Sequence, residues 1–234
     1  MLLPGPLKNI LRGGRGDAAP NGSVPVRPGR SSPPARGSAE TVNTRPSRGL
    51  EEFFTYIRGQ SGLTILDLGG ATQQNVTFIT NLGHRLYSED FLRILRETFG
   101  EDGGAEQQSN PGQIEYFLRQ ALDYPEGHFD GVLVWDALEY LTPALLTAVI
   151  ERLHKIVRPK SYLLAFFHSD DRQDTVPYYT FRIQEINTLQ VAQAGSRQPA
   201  QLFNNRSLEK LFTRYESVKF FLTRERLREV IVKV

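Results

Sequence analysis

Residues 63–90 of this chain read LTILDLGGATQQNVTFITNLGHRLYSED, and the fold follows from how that stretch divides. Thr64, Ile65 and Leu66 are a short apolar run of strand-forming type, broken at Asp67-Leu68-Gly69-Gly70-Ala71-Thr72 by a charge and two glycines. Val76, Ile79 and Leu82 then recur at helical spacing, with Gly83 placed to end the helix. A second strand, Arg85 to Ser88, finishes in Glu89 and Asp90, so Glu89 stands 22 residues beyond Asp67. Strand, glycine turn, helix and a second strand ending in an acid form the layout of a nucleotide-binding βαβ unit. In such a unit glycines let a ligand approach the backbone, the helix start offers free N–H groups, and the second acid accepts from vicinal ribose hydroxyls. Taken alone, the stretch reads equally well as an ordinary glycine turn between a buried strand and a helix.

The chain of 234 residues has room for one well-buried domain and a tail. It contains no cysteine, which excludes disulfides, thiolate zinc sites and a cysteine nucleophile, and its four histidines are scattered, so no metal site is expected. No apolar run nears the ~20 residues of a membrane span, and the protein reads as soluble and cytoplasmic. Charge is unevenly placed. Residues 1–49 hold one lysine and seven arginines against Asp17 and Glu40, a net of +6, so the remainder carries −4 of the overall +2.

Residues 1–47 are rich in Gly, Pro, Arg and Ser without periodicity, and are expected to be disordered. Arg12-Gly13-Gly14-Arg15-Gly16 is an RGG-like run, but one short instance does not make an RNA-binding segment, and nucleic acid is not an expected partner. Eight prolines before residue 47 argue against an amphipathic targeting helix. The domain is expected over 48–234. Leu50, Phe53, Phe54 and Ile57 predict a helix that covers the sheet, and Phe91 to Phe99 another. Ile114, Phe117 and Leu118 predict a helical turn or two leading into Ala121 and Leu122.

Phe129 to Leu141 is the second informative stretch. Val132-Leu133-Val134 is a continuous apolar run, as in a central strand covered on both faces, with Trp135, Asp136, Glu139 and Tyr140 at or beyond its carboxyl end. Thr142 and Pro143 open the following helix, and Tyr162 to Phe167 is a further buried strand delivering His168 to the same edge. Alternating strands and helices imply a parallel sheet with right-handed crossovers. Tyr178, Tyr179, Phe181, Ile183, Ile186 and Leu189 suggest an inserted hairpin, and Ser207 is the expected cap of a last helix. Val218 to Leu222 and Glu229 to Val234 are close enough in sequence to pair antiparallel.

Together these residues resemble a class I S-adenosylmethionine-dependent methyltransferase of the type 11-like group. The resemblance rests on Ile65-Leu66-Asp67-Leu68-Gly69, on Glu89, on Phe129-Asp130-Gly131-Val132-Leu133 running into Trp135-Asp136-Ala137-Leu138-Glu139-Tyr140-Leu141, on Ile156-Val157-Arg158-Pro159, and on the closing antiparallel pair. It covers the chain from about residue 48 onward. It implies an α/β, Rossmann-like, doubly wound sheet of seven strands, mostly parallel, with the last strand inserted antiparallel. It implies S-adenosyl-L-methionine as cofactor, with Asp67, Gly69, Gly70 and Ala71 around the methionine portion, Glu89 at the ribose, Ala121 and Leu122 at the adenine, and Trp135 and Asp136 bordering the methyl group.

The departures from the family pattern are specific. Ala71 and Gln73 stand where the family turn favours its second and third glycines, Gln120 precedes Ala121 where many relatives have an acid, and Lys160-Ser161 replace the usual glycine pair after Arg158-Pro159. Methyl transfer asks the protein mainly to align a nucleophile and exclude water, while a hydroxyl or amine acceptor also needs a base. His168 is the first candidate for that base and Asp136 the second. Three readings follow: methyl transfer to a small-molecule acceptor, a methyltransferase-like binding or partner module without catalysis, and an RNA or protein methyltransferase guided by the basic tail. Whether the Ala71 and Gln73 turn leaves room for methionine separates the first two.

Overall fold

The structure is a computed structural model that describes residues 42–100, 104–169, 174–223 and 227–234. The tail reading therefore lies almost wholly outside the described residues, except at its end, where Val42–Pro46 form strand β1. Helix α1 spans Arg48–Ile57, with Ser47 as its N-cap accepting from the Leu50 amide. The organising stretch folds as read: β2 is Thr64–Asp67, α2 is Gln73–Asn81, β3 is Arg85–Ser88 and α3 is Phe91–Phe99.

Helix α4 spans Pro111–Ala121, followed by β4 at Phe129–Trp135, α5 at Pro143–Ile156 and β5 at Val157–His168. The inserted hairpin is β6, Val176–Glu185, with β7, Thr188–Arg197. Helix α6, Asn205–Leu211, precedes β8, Ser217–Leu222, and β9, Leu227–Lys233. Asn204 rather than Ser207 caps α6; Ser207 is its third residue and returns a hydrogen bond to the Asn204 amide in a capping box.

The main sheet has the order β3-β2-β4-β5-β9-β8. Its first four strands are parallel, and β9 is inserted antiparallel between β5 and β8, as expected of the last strand. Among the described residues the sheet has six strands, not the seven that the resemblance implies. Between α3 and β4 the chain is helical: Asn110 caps α4, Pro111 takes its first position, and Phe117, Leu118 and Ala121 are buried along one helical face.

Two apolar layers cover the sheet. One joins α3, α4, α5 and α6 through Phe91, Phe117, Leu145, Leu153 and Leu208 against Val132, Val134 and Phe167. The other joins α1, α2 and the hairpin through Phe53, Ile79, Phe181 and Ile183 against Ile65, Leu133 and Trp135. The hairpin forms a second, antiparallel sheet with β1, in the order β1-β7-β6. It is tied to the main sheet at the start of α1, where Glu229 on β9 accepts from the Gly49 amide at 2.6 Å and the Ser47 hydroxyl at 3.0 Å, and pairs with Arg45 at 3.6 Å. All of this places the hairpin beside the carboxyl ends of β2 and β4.

Candidate active site

Asp67, at the end of β2, is fully buried and accepts three hydrogen bonds from within the protein. Its Oδ1 takes the Gly69 amide at 2.9 Å and the Trp135 indole Nε1–H at 2.6 Å, and its Oδ2 takes the Asn75 side-chain amide at 3.0 Å. Burial holds its pKa above the usual carboxylate range, with those three donors pulling the other way. Asn75 also binds β6, donating to the Phe181 carbonyl at 3.2 Å and accepting from the Ile183 amide at 2.8 Å. Sequence periodicity put Val76, Ile79 and Leu82 on the inner face of α2, whereas Asn75 and Ile79 are the buried pair and Leu82 is exposed. A polar residue at an inward position one step from an expected apolar one was the available signal.

Trp135, the last residue of β4, has φ +57°, a left-handed conformation uncommon outside glycine. Its ring stacks on Phe181 with centroids 4.9 Å apart and planes 5° from parallel. It also lies directly on Gly69, where an added Cβ would fall 2.7 Å from Trp135 Cδ1 and 2.8 Å from its Nε1. Only glycine permits that approach. Gly70, at φ +83°, completes the turn and donates its amide to the Glu89 carbonyl at 3.0 Å.

A cleft of about 200 Å³ opens over this edge, between the start of α3 and the hairpin. Gly69, Asp90, Trp135 and Asp136 line it, together with Tyr178 and Tyr179 of the hairpin. Asp90, not Glu89, is the β3-end acid that lines it. Glu89 instead accepts from the Tyr124 hydroxyl and borders a separate recess between α3 and α4 with Arg93, Tyr116 and Gln120. Asp90 caps α3 by accepting from the Arg93 amide at 3.0 Å. The apolar positions 91, 94, 95 and 99 mark it as that cap, and a cap at a sheet's carboxyl edge faces the cleft. Ala71 is exposed, and Ala121 and Leu122 are fully buried core residues of the α3–α4 layer.

Asp136, directly after β4, is buried and lines the same cleft. Its carboxyl accepts from the Tyr179 amide at 3.1 Å and from its own backbone amide. Burial pushes its carboxyl up to about 7; the Tyr179 amide opposes the shift and the charge of Glu139 adds to it. Behind it, the short helical turn Ala137–Tyr140 carries Glu139 to the end of β5. One Glu139 oxygen accepts the His168 backbone amide at 2.6 Å and the other lies 2.5 Å from His168 Nδ1. A carboxylate there favours the tautomer whose proton is on Nδ1. Among the described residues, the buried Nε2 has no hydrogen-bond partner. Tyr179 stacks over the His168 ring at 6.1 Å, and Arg197 lies over the rings of Tyr140 and Tyr178 at 5.8 and 5.0 Å. Of the two catalytic candidates, Asp136 reaches the cleft surface and His168 stands behind it.

A family model of methyltransferase domains matches residues 38–216. The chain belongs to the methyltransferase-domain family. Its fold is that of the class I S-adenosylmethionine-dependent methyltransferases. Similar solved structures include a Burkholderia thailandensis 1,6-didemethyltoxoflavin N1-methyltransferase with 1,6-didemethyltoxoflavin and S-adenosylhomocysteine bound (15% identity, 79% of this chain and 76% of that one, TM-score 0.42). An S-adenosylmethionine-dependent methyltransferase from Archaeoglobus fulgidus is also similar (14% identity, 79% and 91% covered, TM-score 0.46). So is the glycopeptide N-methyltransferase MtfA complexed with S-adenosylmethionine (13% identity, 80% and 95% covered, TM-score 0.43). Comparison with curated proteins gave no match. Among the described residues, no helix is long and apolar enough to cross a membrane, and no group of three or more His, Asp and Glu side chains is placed to hold a metal ion.

S-adenosylmethionine fits this cleft at one end only. Asp90 and the Gly69–Gly70 turn suit a ribose and its approach to the backbone. At the methionine end the Trp135 ring lies against Gly69, and Asp67 already accepts three internal hydrogen bonds. The volume of about 200 Å³ also falls below the ~300 Å³ at the small end of ligand pockets. The whole cofactor does not fit the site as it stands.

Proposed function

We propose that this domain serves S-adenosylmethionine-dependent methyl transfer to a small-molecule acceptor, with Asp136 taking the acceptor's proton. The observation that carries this reading is the carboxyl of Asp136: it lines the cleft at the end of β4, takes only backbone amides among the described residues, and is pushed by burial up to about 7. A base with a pKa near the working pH is half available and still strong enough to accept from a hydroxyl or amine. His168, held by Glu139, is a positioning group behind Asp136. Tyr178 and Tyr179 line the cleft and exclude water from an aromatic or flat acceptor.

The test uses labelled S-adenosylmethionine with a panel of hydroxyl and amine acceptors, following S-adenosylhomocysteine release against pH. Turnover should rise through pH 7 in the wild type and fall at least about a hundredfold in Asp136→Asn. Equal turnover by both proteins, with the same pH profile, would remove Asp136 from the chemistry.

One observation favours a second reading, a methyltransferase-like module that binds partners without catalysis. It is the packing of Trp135 on Gly69, which leaves the methionine end filled. Direct titration with S-adenosylhomocysteine separates the two, because a non-catalytic module of this kind binds it weakly or not at all. The reading that depends on a basic tail rests on residues outside those described.

A further inference from the structure

Resting on the reading of this cleft as a cofactor site, we infer that Trp135 is a plug: its indole fills the methionine end, and an S-adenosyl compound is seated only when the ring swings out. Three features converge on that residue. The ring touches the one glycine whose missing side chain makes room for it, at distances that no Cβ would tolerate. Its Nε1–H occupies Oδ1 of Asp67, the buried acid at the end of β2. And it is held at φ +57°, a backbone state that non-glycine residues keep only when their surroundings enforce it.

The chemistry also says which ligands can open the site. Displacing the indole takes a neutral N–H away from a buried carboxylate, and a compound that returns a charged ammonium to the same oxygen replaces it with a stronger, charge-assisted hydrogen bond. The amino-acid end of S-adenosylmethionine or S-adenosylhomocysteine carries such a group. A nucleoside that lacks the amino acid, such as 5′-methylthioadenosine, has nothing with which to displace the ring. The plug therefore selects for the amino-acid half of the ligand and leaves the adenosine half, on Asp90, indifferent to it.

Trp135 is the sole tryptophan of the chain, so its emission reports the plug directly. The experiment titrates the full-length protein with S-adenosylhomocysteine and, separately, 5′-methylthioadenosine, by calorimetry and by tryptophan fluorescence. It repeats the calorimetry on Trp135→Gly, which suits the positive φ, and on Trp135→Phe, which keeps an apolar ring but loses the Nε1 donor. Circular dichroism checks that each variant is folded; if the glycine variant is not, the phenylalanine variant carries the test.

In the wild type, S-adenosylhomocysteine should red-shift the emission as the indole leaves its buried stack, and 5′-methylthioadenosine should not. Removal of the ring should tighten S-adenosylhomocysteine binding by about tenfold or more, the factor expected when a conformation populated at ~10% or less becomes the only one. Binding of 5′-methylthioadenosine should be unchanged. S-adenosylhomocysteine binding with no change in emission and with equal affinity in all three proteins would overturn the plug while leaving the cofactor site intact. Failure of every folded variant to bind either compound at millimolar concentration would overturn both the plug and the proposed cofactor.

Discussion

Asp67 and Asp136 are two buried carboxyls at the carboxyl ends of neighbouring parallel strands, β2 and β4, and they are opposites in what surrounds them. Asp67 receives an indole, a backbone amide and a side-chain amide, and through Asn75 it fastens α2 and the hairpin to the sheet edge. Among the described residues Asp136 receives backbone amides only, and it faces the cleft beside Glu139. Both pKa values are raised by burial, so the shift alone does not tell the two apart. The kind of donor does: a carboxyl bound by side chains of two other elements is part of the framework, and one that takes backbone amides only and faces a cleft has capacity left for a ligand.

The largest effect expected from breaking this contrast is on stability. Asp67→Ala leaves the Trp135 and Asn75 side-chain donors and the Gly69 amide without the acceptor they share. At ~1–3 kcal/mol for each orphaned buried group, partly relieved by relaxation, the variant should lose about 4 kcal/mol in urea unfolding. A loss below about 1 kcal/mol would mean that Asp67 is no keystone, and the contrast would collapse.

Asp136 should respond in the opposite sense, and only above a certain pH. Its unfolded pKa is 3.8 and its folded value about 7, so the folded state holds the proton more tightly. Its contribution to stability is then fully present below about pH 4 and is lost as pH rises through 7. The shift sets a ceiling of about 4 kcal/mol at ~1.4 kcal/mol per pKa unit. Asp136→Asn cannot ionise, so it should match the wild type at pH 4 and exceed it by about 2 kcal/mol at pH 8. The check is thermal unfolding at both values, and a variant that is destabilised equally at both pH values contradicts it.

A smaller effect is expected one layer further back. Glu139→Gln keeps an acceptor for the His168 amide but weakens the charge-assisted contact at Nδ1, which lies at 2.5 Å. That should cost about 1.5 kcal/mol in denaturant unfolding. It should also move the midpoint of the Asp136 pH dependence downward, because Glu139 is a charge that raises it. An unmoved midpoint would disconnect the pair from the cleft.

The alternation of strands and helices, the hairpin and the antiparallel pairing of the last two strands were legible in the chain, because periodicity and turn chemistry report on which segments are buried, whereas the insertion of the last strand came from the resemblance. The resemblance implied seven strands, and the described residues form six, with the helical spacing of Ile114, Phe117 and Leu118 realised as α4. What periodicity could not show is direction within the edge. Trp135 reads as a pocket wall from its position, and its reach back onto Gly69 depends on a left-handed φ that no local pattern encodes. Glu89 and Asp90 are adjacent acids at one strand end, so they point apart, and spacing from Asp67 cannot choose between them.

That last pair gives the finest test of the comparison, because stability should not move at all. Asp90 accepts from the Arg93 amide as the cap of α3, and asparagine caps a helix as well as aspartate does. Asp90→Asn should therefore unfold within about 0.5 kcal/mol of the wild type. Its loss should appear only in the ligand: a carboxylate accepts from both hydroxyls of a ribose with charge assistance and an amide does not, so 5′-methylthioadenosine should bind about tenfold more weakly. Glu89→Gln should leave that affinity unchanged, since Glu89 is turned toward Tyr124 and the recess behind α3. If Glu89→Gln weakens nucleoside binding and Asp90→Asn does not, the ribose lies on the far side of α3, and the cleft over Trp135 and Asp136 is not where the adenosine half binds.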